Sequence, residues 1–359
     1  MKTLLRCSLA VCWMVISTVV VTAGLFPQGE RPAVAVDPVD GIVDAFRSHA
    51  LVALGEGVHG NEQGHAFRLA LLRAARITSV VNDIVVEFGN SRHQDVMDRF
   101  VRGEDVDAAV LRRVWQDTTQ PQPAWDAPIY EAFFRAVRTT NASLPADRKL
   151  RVLLGDPPVD WDAVHSVADL RQWAGRGRHA AQIIQREVLD KGRRALILYG
   201  DGHLFRVPAT DTIVSLLERG NATRVFTIAS PISSPTASHL ETLQADVLSW
   251  PAPSIVVLRK TVLGAADFTF YYPAPKVIRN GQVVVAPMPD QWRSLRMEDQ
   301  FDALLYLGRP SSITFSEMPS ALCADADYMK MRLQRMALAA LPAQNERMKE
   351  YCAKALINK

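Results

Sequence analysis

Four short apolar runs in this sequence end in the same way, with a glycine beside a carboxylate or a histidine. The runs are residues 51–54, 84–86, 151–154 and 195–199, and each predicts a buried strand. The polar residues at their ends are Glu56, His59, Glu87, Asp156, Asp201 and His203. In an open α/β sheet, ligands bind beyond the carboxyl ends of the strands. We therefore predict an α/β fold with a mostly parallel central sheet flanked by helices, in which these six residues converge on one edge.

The first of these strand ends predicts an active-site loop. Gly55, Gly57 and Gly60 interrupt the apolar run, and a helical pattern begins at Asn61. Glu56 and His59 therefore lie on a strand-to-helix turn. Glycines allow such a turn to bend sharply enough to direct two polar side chains inward.

Two familiar motifs offer alternative interpretations of this loop, a dinucleotide-binding site and a zinc-protease helix. Residues 55–60 satisfy Gly-x-Gly-x-x-Gly, which suggests a dinucleotide site, but Glu56 would repel a pyrophosphate. The next acidic strand end, Glu87, also comes well beyond the expected spacing of about 20 residues. A zinc-protease helix is excluded because His59 and His65 are six residues apart and do not share a helix face.

The sequence has no G-x-S-x-G or S-x-x-K motif to supply a serine nucleophile. Hydrolysis would therefore use water directly. One way to activate water is a divalent metal such as Zn²⁺, Mn²⁺ or Fe²⁺ held by ligands from different strand ends. The possible metal ligands are His59, His203, Glu56 and Glu87, with Asp156 as a further carboxylate.

The motif spacing resembles that of the erythromycin esterase family, within the broader group that includes ChaN-like haem-binding lipoproteins and TraB/Tiki proteins. Glu56 stands three residues before His59, Arg68 nine after it and Glu87 twenty-eight after it, as in the esterase pattern. Similarity continues at Gly200-Asp-Gly-His203, at residues 125–141 and at residues 301–306, so it covers about residues 51–306. The chain departs from the family pattern at residues 178–182 and at Asp201, where the family has Asn.

The resemblance implies roles for individual residues in hydrolysis of an ester, a lactone or a related carbonyl compound. His59 would act as the base, with Glu87 helping to position water, and Arg68 would stabilise the developing oxyanion. Glu56 would orient His59 or the substrate, and His203 would donate a proton to the leaving group. Glu62, Asp156 and Asp201 are further candidates for substrate binding, although an acid at Glu62 also favours a helix start and the two aspartates can equally cap helices.

This favoured function requires no cofactor. Two alternatives follow from the same resemblance. The chain could bind haem or iron without catalysis, as ChaN-like members do, or hydrolyse its substrate with a divalent metal, as Tiki-like members do.

The N-terminal end of the chain predicts export, and the C-terminal end predicts a helical extension linked by a disulfide. Residues 1–23 have the charged start, short apolar run and small-residue end of a signal peptide, although an uncleaved anchor is an alternative. Residues 24–36 are predicted as a linker, 37–316 as the α/β domain with a helical insertion at about 91–140, and 317–359 as a helical extension. Two of the four cysteines fall in the signal, so Cys323 and Cys352 are expected to form a disulfide in a periplasmic or secreted protein.

Composition limits the partners. Hydrophobic residues make up 48% of the chain, enough for a substantial core. The net charge of +3 falls to +1 when Lys2 and Arg6 leave with the signal peptide, so nothing attracts nucleic acid or an anionic membrane. We expect a small-molecule substrate, and the sequence does not indicate which oligomeric state the protein has.

Further strands are predicted at residues 224–229, 254–258, 268–272, 283–286 and 303–307.

Overall fold

The structure, a computed structural model, describes residues 30–207, 210–220, 223–231, 240–272, 276–279, 282–286 and 289–357. Within these residues, eight strands form one mixed, mostly parallel sheet and two form a separate hairpin. The strands are β1 (Ala35–Val36), β2 (Leu51–Glu56), β3 (Asp83–Asn90), β4 (Arg151–Asp156), β5 (Ala195–Gly200), β6 (Val225–Ala229), β7 (Ser254–Val257), β8 (Lys276–Arg279), β9 (Gln282–Val285) and β10 (Ala303–Tyr306).

Helices flank both faces of this sheet, which confirms the predicted fold class. They are α1 (Pro38–Ser48), α2 (Glu62–Arg73), α3 (Ala75–Thr78), α4 (Gln94–Arg102), α5 (Ala108–Gln116), α6 (Pro128–Ser143), α7 (Val167–Arg171), α8 (Arg176–Glu187), α9 (Ile213–Gly220), α10 (Val262–Ala265), α11 (Phe268–Tyr271), α12 (Met297–Gln300), α13 (Ser320–Cys323), α14 (Ala326–Leu338) and α15 (Pro342–Ile357). Two hydrophobic clusters, one on each side of the sheet, form the main core.

The order of strands across the sheet is β1-β7-β10-β6-β2-β5-β3-β4. Strands β2, β5, β3 and β4 are parallel neighbours, so the four strand ends that the sequence singles out lie side by side. All residues of β2, β3 and β5 are buried, as expected for parallel strands covered on both faces. This arrangement brings the predicted polar residues to one edge of the sheet.

The strand that carries Glu87 is longer than predicted. It continues to Asn90, and its register against β4 shifts between Val86 and Asn90. Such an irregularity re-aims a side chain within a strand. Glu87 therefore lies at the irregularity and not at the end of the strand.

The loop between β2 and α2 is fixed at both ends. Gly60 has φ +86°, a left-handed conformation that favours glycine. Directly after it, the Asn61 side chain accepts a hydrogen bond from the Gly64 amide and caps α2. The chain therefore turns from strand to helix immediately after His59.

One predicted strand is wrong. Residues 268–272 are rich in aromatic side chains, which favour strands, but Phe268–Tyr271 forms the short helix α11. The rings of Phe268 and Tyr272 both pack against Phe205, and Phe268 also contacts Trp292. Tertiary packing has overridden the local preference.

The N-terminal segment joins the domain before α1. The predicted signal peptide lies outside the described residues. Within the segment predicted as a linker, Ala33 is buried and exchanges hydrogen bonds with Gln244, and Ala35–Val36 pairs with β7. No helix among the described residues is long and apolar enough to cross a membrane.

The C-terminal extension, α13 to α15, has its own small hydrophobic cluster. The sulfur atoms of Cys323 and Cys352 lie 2.06 Å apart, so the predicted pair is joined. This bond links α13 to α15. In addition, Arg332 of α14 is buried and forms an ion pair with Asp126, with 2.6 Å between Nη2 and Oδ2.

Candidate active site

Glu56 is the last residue of β2 and is 6% exposed. One carboxylate oxygen lies 3.0 Å from Nδ1 of His59. The other lies 3.3 Å from Nη2 of Arg68 and accepts a hydrogen bond of 3.4 Å from the Tyr130 hydroxyl. Tyr130 also accepts a 2.8 Å hydrogen bond from the Gly60 amide, which ties the loop to α6. Glu56 is therefore held on both oxygens.

This contact determines the protonation pattern of His59. An ionised carboxylate can only accept hydrogen bonds, so Nδ1 of His59 must donate. When the ring is neutral, its lone pair is therefore on Nε2. That atom makes no hydrogen bond within the described part of the chain. The ring is 36% exposed and packs edge-on against Trp125, with ring centroids 4.4 Å apart.

A second set of contacts surrounds Glu87, which is 2% exposed. Its Oε2 accepts a 2.7 Å hydrogen bond from the Gly200 amide. Its Oε1 lies 2.9 Å from Nη2 of Arg176 and 3.2 Å from Nε2 of His203. Each glutamate therefore contacts one arginine and one histidine.

Gly200 separates the two sets. A side chain placed on it would begin 3.2 Å from Cε1 of His59 and 3.3 Å from Oε2 of Glu87. The imidazole and the second carboxylate therefore approach each other across a position that has no side chain. Asp201 and His203 follow Gly200 in the same turn.

Gly200→Ala is expected to lower the hydrolytic activity that the sequence resemblance implies about tenfold while the fold is retained, because the new methyl group must displace His59 or Glu87 by a few tenths of an ångström. The backbone at Gly200 has φ −57°, which alanine adopts readily. Gly202→Ala is the matched control, since nothing lies within 4 Å of its added methyl group. Steady-state kinetics and circular dichroism of both variants would check this, and equal activity of the two would contradict it.

Asp156, at the end of β4, lies beside Arg176. Its Oδ1 is 2.9 Å from Nε of Arg176 and accepts a 2.7 Å hydrogen bond from the Thr119 hydroxyl, and its Oδ2 accepts a 2.6 Å hydrogen bond from the Thr119 amide. Asp156 is 1% exposed, so its contacts hold Arg176 and the loop of Thr119.

Sequence reasoning missed Arg176 and Tyr130. Arg176 begins α8 directly after Gly175, and Tyr130 lies in the first turn of α6. The only available signal for Arg176 was a basic residue at a helix start, where acidic residues are preferred. No sequence signal marks Tyr130, which reaches Glu56 from a distant part of the chain.

Opposing effects set the pKa of His59. Burial lowers it, but the hydrogen bond to Glu56 and the negative charges of Glu87 and Glu56 outweigh burial, so the pKa is raised above 6.5. The imidazolium is therefore favoured relative to a histidine in water.

Both glutamates remain ionised. Burial raises the pKa of Glu56, but Arg68 and His59 outweigh it and hold the pKa below its ordinary value. Burial likewise opposes ionisation of Glu87, yet His203 and Arg176 hold its pKa well below the usual range.

Three of the predicted site residues have other positions: Arg68 holds Glu56, and Glu62 and Asp201 lie outside the contacts around Glu56 and Glu87. Arg68 is 4% exposed and contacts Glu56, and it is not among the residues that line the neighbouring cavity. Glu62 accepts a 2.6 Å hydrogen bond from Thr314 at the surface. Asp201 is buried and bonded to the Tyr272 hydroxyl at 2.6 Å, and burial raises its pKa to about 6.

A cavity of about 350 Å³ opens beside His59. Its lining comprises His59, Gly60, Gln122, Pro123, Ala124, Ala127, Ser316, Glu317, Met318, Gln344, Arg347, Met348 and Tyr351. The volume is within the range of small-molecule sites. His59 is the residue that connects this cavity with Glu56.

Among the described residues, no group of three or more histidine, cysteine, aspartate or glutamate side chains is arranged to hold a metal ion. The carboxylates proposed as ligands are instead engaged by Arg68 and Arg176.

No family model matches the chain, and no curated protein matches it. Among solved structures, the chain is similar to a protein from Bacillus cereus, at 11% identity, with 80% of this chain and 97% of that chain covered and a TM-score of 0.49. It is also similar to a succinoglycan biosynthesis protein, at 8% identity, 80% and 96% coverage and a TM-score of 0.46. ChaN of Campylobacter jejuni, which binds haem cofacially, matches at 12% identity, 56% and 92% coverage and a TM-score of 0.37. Similarities at this level assign no activity to the chain.

Proposed function

We propose that this protein is a hydrolase that cleaves an ester, a lactone or a related carbonyl substrate with water activated by His59. The observation that carries the proposal is the pairing of Nδ1 of His59 with the buried Glu56 carboxylate at 3.0 Å, beside a cavity of small-molecule size. This pairing leaves the Nε2 lone pair free to accept a proton.

In the proposed reaction, Nε2 of His59 takes a proton from water while the water oxygen attacks the carbonyl carbon. A tetrahedral intermediate forms, and its collapse breaks the bond to the leaving oxygen. The imidazolium of His59 then returns its proton to that oxygen. This replaces the donor role that the sequence resemblance implies for His203, because His203 contacts Glu87 at 3.2 Å and does not line the cavity. Glu56 and Glu87 stabilise the imidazolium of His59 while the intermediate exists, because both raise its pKa.

The two arginines act on the glutamates in this proposal. Arg68 lies against Glu56 at 3.3 Å, so it holds the carboxylate that orients His59, in place of the oxyanion role that the sequence resemblance implies. Arg176 does the same for Glu87 at 2.9 Å. Charge-assisted contacts of this kind fix the geometry of buried carboxylates.

The pH dependence of kcat/KM is expected to reflect His59. The base must be neutral, so kcat/KM falls as the pH is lowered through a pKa that lies above 6.5. Glu56→Gln removes the carboxylate that is bonded to His59 and one of the two charges that raise this pKa, so it should move the acid limb to lower pH and also reduce kcat. Glu104→Gln, at a surface residue, is the control. An acid limb that stays in place in Glu56→Gln would contradict the assignment of His59 as the base.

The direct test is a panel of esters and lactones incubated with purified protein, with and without a chelator. Hydrolysis that survives chelation supports the proposal, whereas activity lost on chelation and restored by Zn²⁺ or Mn²⁺ would favour the metal-dependent alternative. No hydrolysis together with a Soret band on addition of hemin would favour haem binding.

We further propose that the protein is exported to the periplasm or secreted. The apolar N-terminal segment and the joined cysteines support this location, because disulfides persist in oxidising compartments. Detection of the mature N-terminus in a periplasmic or culture fraction would test it.

A further inference from the structure

The cavity beside His59 has two walls that come from distant parts of the chain. One wall is the loop before α6, with Gln122, Pro123, Ala124 and Ala127. The other is the C-terminal extension and the segment leading into it, with Met318, Gln344, Arg347, Met348 and Tyr351. Of the described residues in the α/β core, His59 and Gly60 line the cavity.

The lining is mainly apolar. Its apolar residues are Pro123, Ala124 and Ala127 in the first wall and Met318 and Met348 in the second. Methionine side chains are unbranched and flexible, so they accommodate apolar groups of varied shape. The charged lining residues, Glu317 and Arg347, are exposed.

The second wall is fixed in place by several contacts. The Tyr351 hydroxyl donates a 2.5 Å hydrogen bond to the Met318 carbonyl. The disulfide between Cys323 and Cys352 joins the helices on either side of α14. Buried Arg332 connects α14 to the first wall through Asp126, the neighbour of Trp125. The two walls are therefore fastened to each other as well as to the core.

We propose that the substrate carries an apolar chain of medium length next to the scissile carbonyl, and that the C-terminal extension determines which chains fit. This inference rests on the proposed hydrolase function and specifies its substrate class. The apolar chain would occupy the space between Ala124 and Gln344, with its carbonyl at His59. Each buried methylene should then raise kcat/KM about fourfold until the cavity is filled.

The test uses p-nitrophenyl esters of acetic, butyric, hexanoic and octanoic acid, with the full-length protein. The wild-type protein is expected to show kcat/KM that rises with chain length. Ala124→Phe fills the cavity from one wall and Gln344→Phe from the other, so each should reduce the octanoate-to-acetate ratio of kcat/KM at least tenfold. Two variants from separate elements keep the test decisive if one of them fails to fold.

Ala321→Phe is the matched control, because Ala321 is exposed on the C-terminal extension and does not line the cavity. It should preserve the wild-type ratio. A wild-type rate that is flat with chain length, or an unchanged ratio in both cavity variants, would overturn the inference while hydrolysis of acetate leaves the proposed function intact. Failure to hydrolyse any ester, acetate included, would instead count against the proposed function itself.

Discussion

His59→Ala is expected to lower kcat/KM for ester hydrolysis by about 10²–10⁴-fold, the usual contribution of a general base. The imidazole is the group that joins the buried Glu56 carboxylate to the cavity, so its removal takes away the proposed proton acceptor. Steady-state kinetics on the best ester found in the panel would measure the effect.

The matched control is His165→Ala. His165 is exposed, and its ring lies outside the cavity lining, so its removal should leave the kinetics unchanged. Thermal melting of both variants separates chemistry from folding. A His59→Ala variant that keeps more than about a tenth of wild-type activity, at unchanged stability, would exclude His59 as the base.

Arg332→Met is expected to reduce the free energy of unfolding by about 3–5 kcal/mol, because it leaves the Asp126 carboxylate buried without its positively charged partner. Arg332 is 1% exposed and also donates to the Gln116 carbonyl at 3.0 Å. Urea denaturation followed by circular dichroism would measure the loss.

A surface pair supplies the control for this stability prediction. Arg47 and Asp44 form an ion pair in which both side chains are more than half exposed, so Arg47→Met should cost less than about 1 kcal/mol. Equal losses in the two variants would show that Arg332 has no special part in joining the C-terminal extension to the domain.

Three of the four strand ends were predictable, because buried parallel strands leave a strong apolar pattern that stops abruptly at glycine and acid, whereas the strand of Glu87 continues to Asn90. The convergence of Glu56, His59, Glu87 and His203 follows from that pattern once the strands are neighbours. Whether these residues catalyse hydrolysis stays a prediction.

The supporting residues could not be predicted in the same way. Tyr130 and Arg176 contact the glutamates from helices that are far away in sequence, and no local pattern records such a contact. The short helix at Phe268–Tyr271 shows the same limit, because its aromatic composition favours a strand and only its packing partners favour a helix. The cavity wall at Gln344 depends on how α15 docks, which its own amphipathic pattern does not specify.

Because α15 docks beside His59, the residues proposed for catalysis and many of the residues that shape the cavity are encoded by separate stretches of the gene. Codons for residues 51–203 encode His59 and the glutamates proposed to act with it, whereas much of the cavity lining beside His59 is encoded after residue 316. Exchanging the terminal helices between homologous chains would therefore retune substrate choice without rebuilding the proton-transfer groups, provided that the buried arginine and the cysteine pair travel with the exchanged piece.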